Sequence, residues 1–161
     1  MTKFFAFTVA LFLIGTAASI AQSNVNLGGI NVDPSAAIEV TADSLSVDQD
    51  TGTAVFSGKV LISQGELRLS ANRVEVIYSD ETGDITRLIA TGDVLFVTDT
   101  DAAEAQNADY DITAGILTLT GDVMLTQGAS AISAGRMVLN VATGAATMDG
   151  RVRTVLQQGN N

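Results

Sequence analysis

One short phrase recurs four times along the chain and limits what the chain can fold into. It stands as FSGKV at 56–60, ATGDV at 90–94, LTGDV at 119–123 and MDGRV at 148–152. Each phrase has a glycine at its centre, and the four glycines follow one another at intervals of 34, 29 and 29 residues. Fixed spacing of this kind is typical of a protein built from stacked copies of one small unit.

Two further landmarks follow the same spacing. The first is an alanine, which recurs as Ala42, Ala71, Ala105 and Ala134. The second is a turn glycine: Gly52, Gly115 and Gly144 each fall ten residues after one of these alanines, whereas Gly83 falls twelve residues after Ala71. The unit is therefore 29 residues long, with a five-residue insertion that lies partly at 79–84.

Within each unit, apolar residues alternate with polar ones. In the runs 54–62 and 117–125, every second residue is apolar or glycine, which is the period of a β-strand and not of a helix. Thr-Gly and Ala-Gly dipeptides separate the runs, where glycine supplies the positive φ of a tight hairpin or its bulge. The sequence therefore predicts an all-β fold of about four 29-residue strand-turn-strand repeats.

A glycine in mid-strand lowers local stability, so its recurrence indicates a bulge, a sharp bend or the close approach of another backbone. If every unit bends at the same height, stacking produces a folded-over sheet with a continuous apolar inner face. That face is either the core of a β-sandwich or a lipid-lined groove. Its predicted members are Phe56, Val60, Ile62, Val94, Phe96, Leu119, Val123, Leu125, Met148 and Val152.

Composition excludes several classes of protein. Histidine and cysteine are absent, which removes the commonest general base, the commonest metal ligands and every thiol nucleophile. No phosphate-binding loop is present, so we expect no hydrolysis of nucleotides. The composition and this missing motif together predict no enzyme activity, no cofactor and no metal site. The formal net charge is −10, and the eight basic residues form no run, so we expect no binding to nucleic acid.

Several aspartates recur at i, i+2 spacing, which on a strand points both carboxylates of a pair to one face. Calcium binding is one interpretation, but the glycine-rich nonapeptide of calcium-binding β-rolls is missing. Solvated turn residues are therefore the favoured interpretation. The pairs are Asp48 and Asp50, Asp99 and Asp101, and Asp109 and Asp111.

The N-terminus has the pattern of a secretory signal peptide. Lys3 precedes an apolar run, and small residues end at Ala21, so we expect cleavage after residue 21 and export to the periplasm. Residues 22–37 are rich in Asn, Gly and Ser and predict a flexible lead-in. The folded domain is expected over 38–157, followed by a short tail at 158–161.

A stack of open strands has two edges with unpaired backbone groups, and another chain can pair with them. The candidate edge contacts are Ile38, Val40, Leu45 and Val47 at one end, and Val152 and Val155 at the other.

Three cationic side chains, Lys59, Arg68 and Arg73, are candidates for contacts with lipid phosphates at the mouth of a groove. The alternative is that they are solvated surface residues.

Two long segments carry a family resemblance: IEVTADSLSVDQDTGTAVFSGKVLISQGELRLSANRVEV at 38–76 and AEAQNADYDITAGILTLTGDVMLTQGASAISAGRMVLNVATG at 103–144. They resemble the OstA-like domain of periplasmic lipopolysaccharide-transport bridge proteins. The resemblance covers about 38–157, and the ordered set of motifs carries it. Those motifs are Ala42-Asp43, Gly58–Val60, Tyr110-Asp111 and Leu119–Val123.

The resemblance implies an open, V-shaped β-jellyroll that receives the acyl chains of lipopolysaccharide. It also implies end-to-end stacking, as a homo-oligomer and with related jellyrolls, that joins an inner-membrane extraction complex to an outer-membrane translocon. The ten inner-face residues are then the lipid-facing candidates. One alternative is a structural or adhesive secreted β-solenoid with a sealed core. A hydrolase with paired carboxylates is disfavoured, because the acidic residues are scattered through the repeats and no pair is expected to converge on one cleft.

Overall fold

Every regular element in the parts of the chain that the structure describes, residues 23–26 and 35–156, is a β-strand. The structure is a computed structural model. The expected signal peptide at 1–21 and tail at 158–161 lie outside the described residues. The strands are β1 (Ser23–Asn26), β2 (Ile38–Thr41), β3 (Ser44–Asp48), β4 (Thr53–Gln64), β5 (Leu67–Tyr78), β6 (Ile85–Val97), β7 (Asp101–Asp111), β8 (Ile116–Gln127), β9 (Ser130–Asn140), β10 (Ala145–Asp149) and β11 (Arg153–Val155).

The strands form one antiparallel sheet in the order β1-β10-β9-β8-β7-β6-β5-β4-β2, with β3 paired to β4 and β11 paired to β9. From β4 to β9, each long strand pairs with its neighbour in sequence, as the alternating runs and turn dipeptides predict. The sheet is open, because its first and last strands do not pair with each other. The predicted all-β strand-turn-strand organisation is confirmed.

The four repeated glycines mark a corner in each repeat. Gly58, Gly92, Gly121 and Gly150 have φ angles of +80° to +83°, and the residue after each also has a positive φ. At the first three corners, two residues of one strand oppose a single residue of the next, which is a β-bulge that bends its strand. The predicted bend at the recurring phrase is therefore confirmed.

Close approach of a neighbouring side chain explains why the corner residue is glycine. A Cβ atom on Gly121 would lie 2.8 Å from the Cβ of Gln106, and one on Gly58 would lie 2.9 Å from the Cβ of Asp43. Both distances are shorter than real side chains tolerate. Asp43 and Gln106 each follow a landmark alanine, so the two repeating signals describe the two sides of one corner.

The corners divide the sheet into two layers that face each other. Layer A contains β2, β11 and the parts of the long strands paired with them, namely 60–64, 67–71, 94–97, 101–105, 123–127 and 130–134. Layer B contains β1, β3, β10 and the parts 53–57, 73–78, 85–91, 107–111, 116–120 and 136–140. We call the line of corners the ridge, and the opposite side, where the hairpin turns lie, the mouth.

Both layers point their apolar side chains into the space between them. In β4 the buried positions keep one parity across the corner, from Ala54 to Val60 and Ile62. In β5 the parity changes at the corner, from Leu69 and Ala71 to Val74 and Val76. This switch compensates for the extra residue in the opposing bulge, so both halves of both strands bury their apolar residues on the same side.

The chain departs from the sequence prediction near its N-terminus. Within the expected flexible lead-in at 22–37, Ser23–Asn26 forms β1 and pairs antiparallel with β10 at the far end of the sheet. Val25 packs against the core, and the hydroxyl of Thr147 donates to the side-chain oxygen of Asn24 at 3.2 Å. Part of the segment expected as a lead-in therefore forms a strand, because β10, more than 100 residues away in sequence, pairs with it.

Candidate functional site

The structure gathers all ten predicted inner-face residues between the two layers. Eight of them are almost fully buried, and Phe56 and Val152 are partly buried and pack against the same core. The alternation argument is clearest on β6, where Phe96 is fully buried and its neighbour Leu95 is 37% exposed on the outer surface. The buried eight are Val60, Ile62, Val94, Phe96, Leu119, Val123, Leu125 and Met148.

A narrow apolar crevice runs between the layers near the mouth. Its cavity volume is about 10 Å³, close to what a single water molecule needs. Its lining comes from both layers, so parting the layers would widen it. The lining residues are Ile62, Leu67 and Leu69 from layer A, and Leu88, Ala90, Ala108, Tyr110 and Leu117 from layer B.

A buried hydrogen bond crosses from one layer to the other beside this crevice. The hydroxyl of Tyr110, on β7 in layer B, donates to Oε1 of Gln64, on β4 in layer A, at 3.0 Å. Gln64 is 1% exposed and Tyr110 is 4% exposed. The amide nitrogen of Gln64 also donates to the carbonyl of Ala36 at 3.2 Å. Burial raises the pKa of Tyr110, so its hydroxyl stays protonated and available as a donor at neutral pH.

Neither member of this pair is among the site residues that the sequence predicts. The available signal for Gln64 was its position, because it continues the inner-face parity of Val60 and Ile62 with a polar side chain. Tyr110 was noted within the family resemblance, but no sequence pattern predicts that these two residues, 46 positions apart, would meet. Their contact follows from the fold of the two layers.

The three cationic candidates are not brought together. Arg68 lies near the mouth, where its guanidinium donates to the carbonyl oxygens of Gly65 at 2.5 Å and Leu67 at 2.9 Å. Lys59 and Arg73 are exposed at the ridge, on the side away from the mouth. A phosphate at the mouth would therefore meet Arg68 without the other two.

At the N-terminal end of the stack, the apolar inner face is uncovered. Leu45 and Val47 on β3 pair with Phe56 and Ala54, which have inner-face parity, yet they are 55% and 61% exposed. Ile38 and Val40 continue the inner face in layer A and are partly buried. At the other end, Val152 is partly buried and Val155 on β11 is 50% exposed.

One aspartate departs from its predicted solvated state. Asp101 is 3% exposed, whereas Asp99 is exposed, so this pair does not share a face. The hydroxyl of Thr100 donates to Oδ2 of Asp101 at 3.1 Å, and Oδ1 has no hydrogen-bond partner among the described residues. After the turn from β6, Asp101 occupies the first inward-facing position of β7. Its side chain is therefore buried and not solvated as predicted.

Other site types find little support in residues 23–26 and 35–156. No group of three or more His, Cys, Asp or Glu side chains in these ranges is arranged to hold a metal ion. Nor does any helix in the same ranges have the length and apolar character needed to cross a membrane.

Comparison with known proteins then places the fold in a family. Residues 39–145 match the family model described as LptA/(LptD N-terminal domain) LPS transport protein. The chain belongs to this family. The match includes three of the four corner glycines and both members of the Gln64–Tyr110 pair, so the features described above lie within the family domain.

Two curated proteins are similar in sequence to this LptA-like chain. It is 38% identical over 55 residues to the lipopolysaccharide export system protein LptH of Pseudomonas aeruginosa, a match covering 34% of this chain and 31% of LptH. An uncharacterized protein, R00383 of Rhizobium meliloti, is 24% identical over 155 residues, covering 89% of this chain and 83% of the relative.

The crystal structure of LptH, the LptA-homologous periplasmic component of the conserved lipopolysaccharide transport device from Pseudomonas aeruginosa, has the same architecture. It superposes with a TM-score of 0.70 at 19% identity, over 79% of this chain and 99% of LptH. This likeness confirms the predicted open β-jellyroll.

Proposed function

We propose that this LptA-like protein is a periplasmic carrier that holds lipopolysaccharide acyl chains between its two layers and passes them along the stack. The observation that carries the proposal is the inner face itself. Every repeat contributes apolar side chains to it, and the stripe continues to the uncovered end at Leu45 and Val47. A closed core has no need to continue to an exposed end.

Energetics suit an apolar cargo. Each methylene taken out of water contributes roughly 0.8 kcal/mol, so an acyl chain of about a dozen carbons contributes on the order of 10 kcal/mol. That amount can offset the cost of separating the layers, which are joined through the ridge. Arg68 at the mouth is the candidate for contact with a lipid phosphate, whereas Lys59 and Arg73 point to the ridge.

The same proposal includes end-to-end assembly, as a homo-oligomer and with related jellyrolls. The outer sides of β2 and β3 carry no further strand among the described residues, and β11 is likewise outermost in its layer. Open strand edges pair readily with another edge. Pairing there would join the inner stripe of one molecule to that of the next and so extend the path for the acyl chains.

The family assignment supports the remaining parts of the proposal. The carrier works in the periplasm after removal of its signal peptide and connects an inner-membrane extraction complex to an outer-membrane translocon. It performs no chemistry on its cargo and uses no cofactor. Energy for transport comes from outside the chain.

One observation favours a rival function. The inner side chains are buried and the crevice is narrow, as expected for a structural or adhesive β-solenoid with a sealed core. The two functions differ in whether the layers separate in cells, and lipid contact at a fully buried residue tests that difference.

The experiment is photo-crosslinking in the native host. A photoreactive phenylalanine analogue replaces Phe96 on the inner face, and the matched control replaces Leu95 on the outer face of the same strand. We expect lipopolysaccharide adducts at position 96 and none at position 95. Absence of adducts at both positions, in variants that remain folded and complement a deletion, would favour the sealed solenoid.

A further inference from the structure

The outer face of layer A carries a row of apolar side chains that the carrier function does not use. Leu61 on β4, Leu95 on β6 and Met124 on β8 are all exposed. The other large hydrophobic side chains that are exposed among the described residues lie at the two ends of the stack, on β3 and at positions 155–156. We call Leu61, Leu95 and Met124 the outer row.

Strand register places the outer row on one line across the sheet. Ser70 on β5 pairs with both Leu61 and Leu95, and Glu104 on β7 pairs with both Leu95 and Met124. Each member is therefore two strands away from the next, a separation of about 9.6 Å. Single hydrophobic side chains on a surface are common, whereas three at equal spacing on one line form a patch that a partner can use.

A shallow hollow lies beside each member of the outer row, on the side toward the ridge. The three hollows have volumes of about 350–450 Å³ and equivalent linings. Each is lined by one outer-row residue, by a landmark alanine and the residue before it on the next strand, and by the residues that follow two successive corner glycines. The hollows therefore form a groove with regularly repeated pockets, which we call the outer groove.

The middle of the outer groove is acidic. Asp93 and Asp122 each line two neighbouring hollows, and Glu104 lines the central one. All three carboxylates are exposed, and none forms an ion pair with a described residue. The side-chain amide of Asn72 donates to Oδ2 of Asp93 at 2.9 Å, which holds that carboxylate at the edge of the groove.

The outer face of layer B lacks both features. No large hydrophobic side chain is exposed on it within the part of the chain that the structure describes. Two of its arginines, Arg87 and Arg136, are paired with Asp109 and Asp149. Both layers share the same corners and the same alternation, so the outer groove is a property of layer A and not of the repeat in general.

We propose that the outer groove binds a cationic amphipathic helix of a partner protein. Helical residues seven positions apart lie on one face, about 10.5 Å from each other, which is close to the spacing of the hollows. Lysine or arginine residues beside these apolar anchors would face the three unpaired carboxylates, and such complementarity favours a cationic partner. The groove lies outside the two layers, so this binding does not depend on lipid carriage between them.

Other occupants fit the outer groove less well. An extended strand presents side chains to one face about every 6.7 Å, which does not match the hollows. A polyproline helix repeats about every 9.3 Å, but grooves that recognise it are lined by aromatic side chains, and no aromatic residue lines these hollows. An anionic membrane surface would be repelled by the carboxylates.

Two designed alanine-based helical peptides of identical composition test the spacing. Both carry three leucines and the same number of lysines, but the leucines recur every seven residues in the first peptide and every four residues in the second, where they lie about 6 Å apart. Fluorescence anisotropy of each labelled peptide with the full chain gives both affinities. We expect the first peptide to bind about tenfold more tightly, because the second leaves at least one leucine outside a hollow.

One substitution and its matched control test the apolar anchors. Leu95→Ser should weaken binding of the first peptide by about tenfold, since Leu95 lines the central hollow. Leu156→Ser removes an even more exposed leucine at the C-terminal end of the described chain and should leave the affinity unchanged. Circular dichroism checks that each variant is folded.

A second pair of variants tests the charges. Glu104→Gln combined with Asp122→Asn should weaken binding of the first peptide by about fivefold, as expected for two exposed charge pairs. Glu81→Gln combined with Asp84→Asn makes the same change in net charge at the exposed turn between β5 and β6, outside the groove lining. This control should bind the peptide as the wild type does.

The remaining outcomes overturn the inference. They are equal affinity for the two peptides, no binding of either, or losses in the control variants as large as in the groove variants. Loss of self-association in Leu95→Ser, measured by sedimentation velocity, would assign the groove to a second copy of this chain. Loss of binding to anionic phospholipid vesicles in that variant would assign it to a membrane surface. In each case the carrier function stands or falls separately, on lipid adducts at Phe96.

Discussion

The two ends of the strand stack are built differently. At the N-terminal end, β2 and β3 together cover the length of β4, and no described strand covers them in turn. At the C-terminal end, layer B ends at β1, which folds back onto β10, whereas layer A ends at the three-residue β11. The outermost strands are therefore β2 and β3, which are adjacent in sequence, at one end, and two short strands from opposite ends of the sequence, β1 and β11, at the other.

This difference indicates how the chain limits its own association. Two fully open edges on one molecule favour uncontrolled edge-to-edge growth, and natural sheets restrict such edges. Here the edge of β10 is covered by β1, a strand of only four residues, while Leu45 and Val47 leave apolar side chains exposed at the other end, which we call the adhesive end.

The largest effect is expected where a corner in the middle of the stack is compared with a corner at its end. Gly121→Ala should lower the free energy of unfolding by about 3 kcal/mol, because positive φ costs an alanine about 1–2 kcal/mol and crowding against Gln106 adds about 1–3 kcal/mol. Gly58→Ala should cost about 1–2 kcal/mol, since Asp43 lies in the short link between the outermost strands β2 and β3 and can shift. Urea unfolding measures both.

Equal losses at the two corners would contradict this expectation. They would mean that the N-terminal end is held as firmly as the middle of the sheet.

Removal of β1 tests the covered edge directly. Deleting Ser23–Asn26 should cost about 1–2 kcal/mol of stability, mainly from the packing of Val25, and should increase self-association by exposing β10. Sedimentation velocity at several concentrations measures the association. Val25→Pro is the matched control for deletion artefacts, because proline blocks pairing without shortening the chain. A chain that associates no more strongly after deletion would show that β1 does not restrict the edge.

Charge on the uncovered apolar positions tests the opposite end. Leu45→Lys combined with Val47→Lys should weaken self-association by about tenfold, while stability changes by only about 0.5 kcal/mol because both side chains are exposed. Val155→Lys on β11 provides the comparison and should have a smaller effect. If Val155→Lys were the more damaging, the adhesive end would be the C-terminal one.

The smallest effects are expected from the two exposed ion pairs. Arg87 and Asp109 join β6 to β7 in the middle of the stack, and Arg136 and Asp149 lie 3.7 Å apart between β9 and β10 near its end. Replacing either arginine with glutamine should change stability by less than about 0.5 kcal/mol. A larger loss in chemical denaturation, removed by added salt, would reveal a stronger electrostatic role for that pair.

Local signals account for what could be predicted from sequence. The strands, the corner at each repeated glycine and the inward direction of residues such as Phe96 all depend on patterns within one repeat. The assignment of ten inner-face residues to the space between layers followed from period-two alternation alone. The glycine at the corner was informative because its neighbour, such as Gln106, lies directly against it.

Long-range contacts account for what could not be predicted. Ser23–Asn26 is short and surrounded by Asn and Gly, and its hydrogen bonds come from β10, so no local pattern marks it as a strand. The Gln64–Tyr110 bond depends on how the layers face each other. Asp101 was expected in solvent because aspartate is common in turns, but the position where β7 begins carries it inward.

The repeated corner also makes the fold extensible. In the middle of the sheet each long strand pairs only with its neighbours in sequence, and every corner has the same two consecutive positive φ angles. A duplicated strand pair inserted there would meet the same surroundings as the original and leave both ends unchanged. The number of repeats that the gene encodes therefore sets the length of the apolar interior. That number can change without altering the edge strands at the two ends.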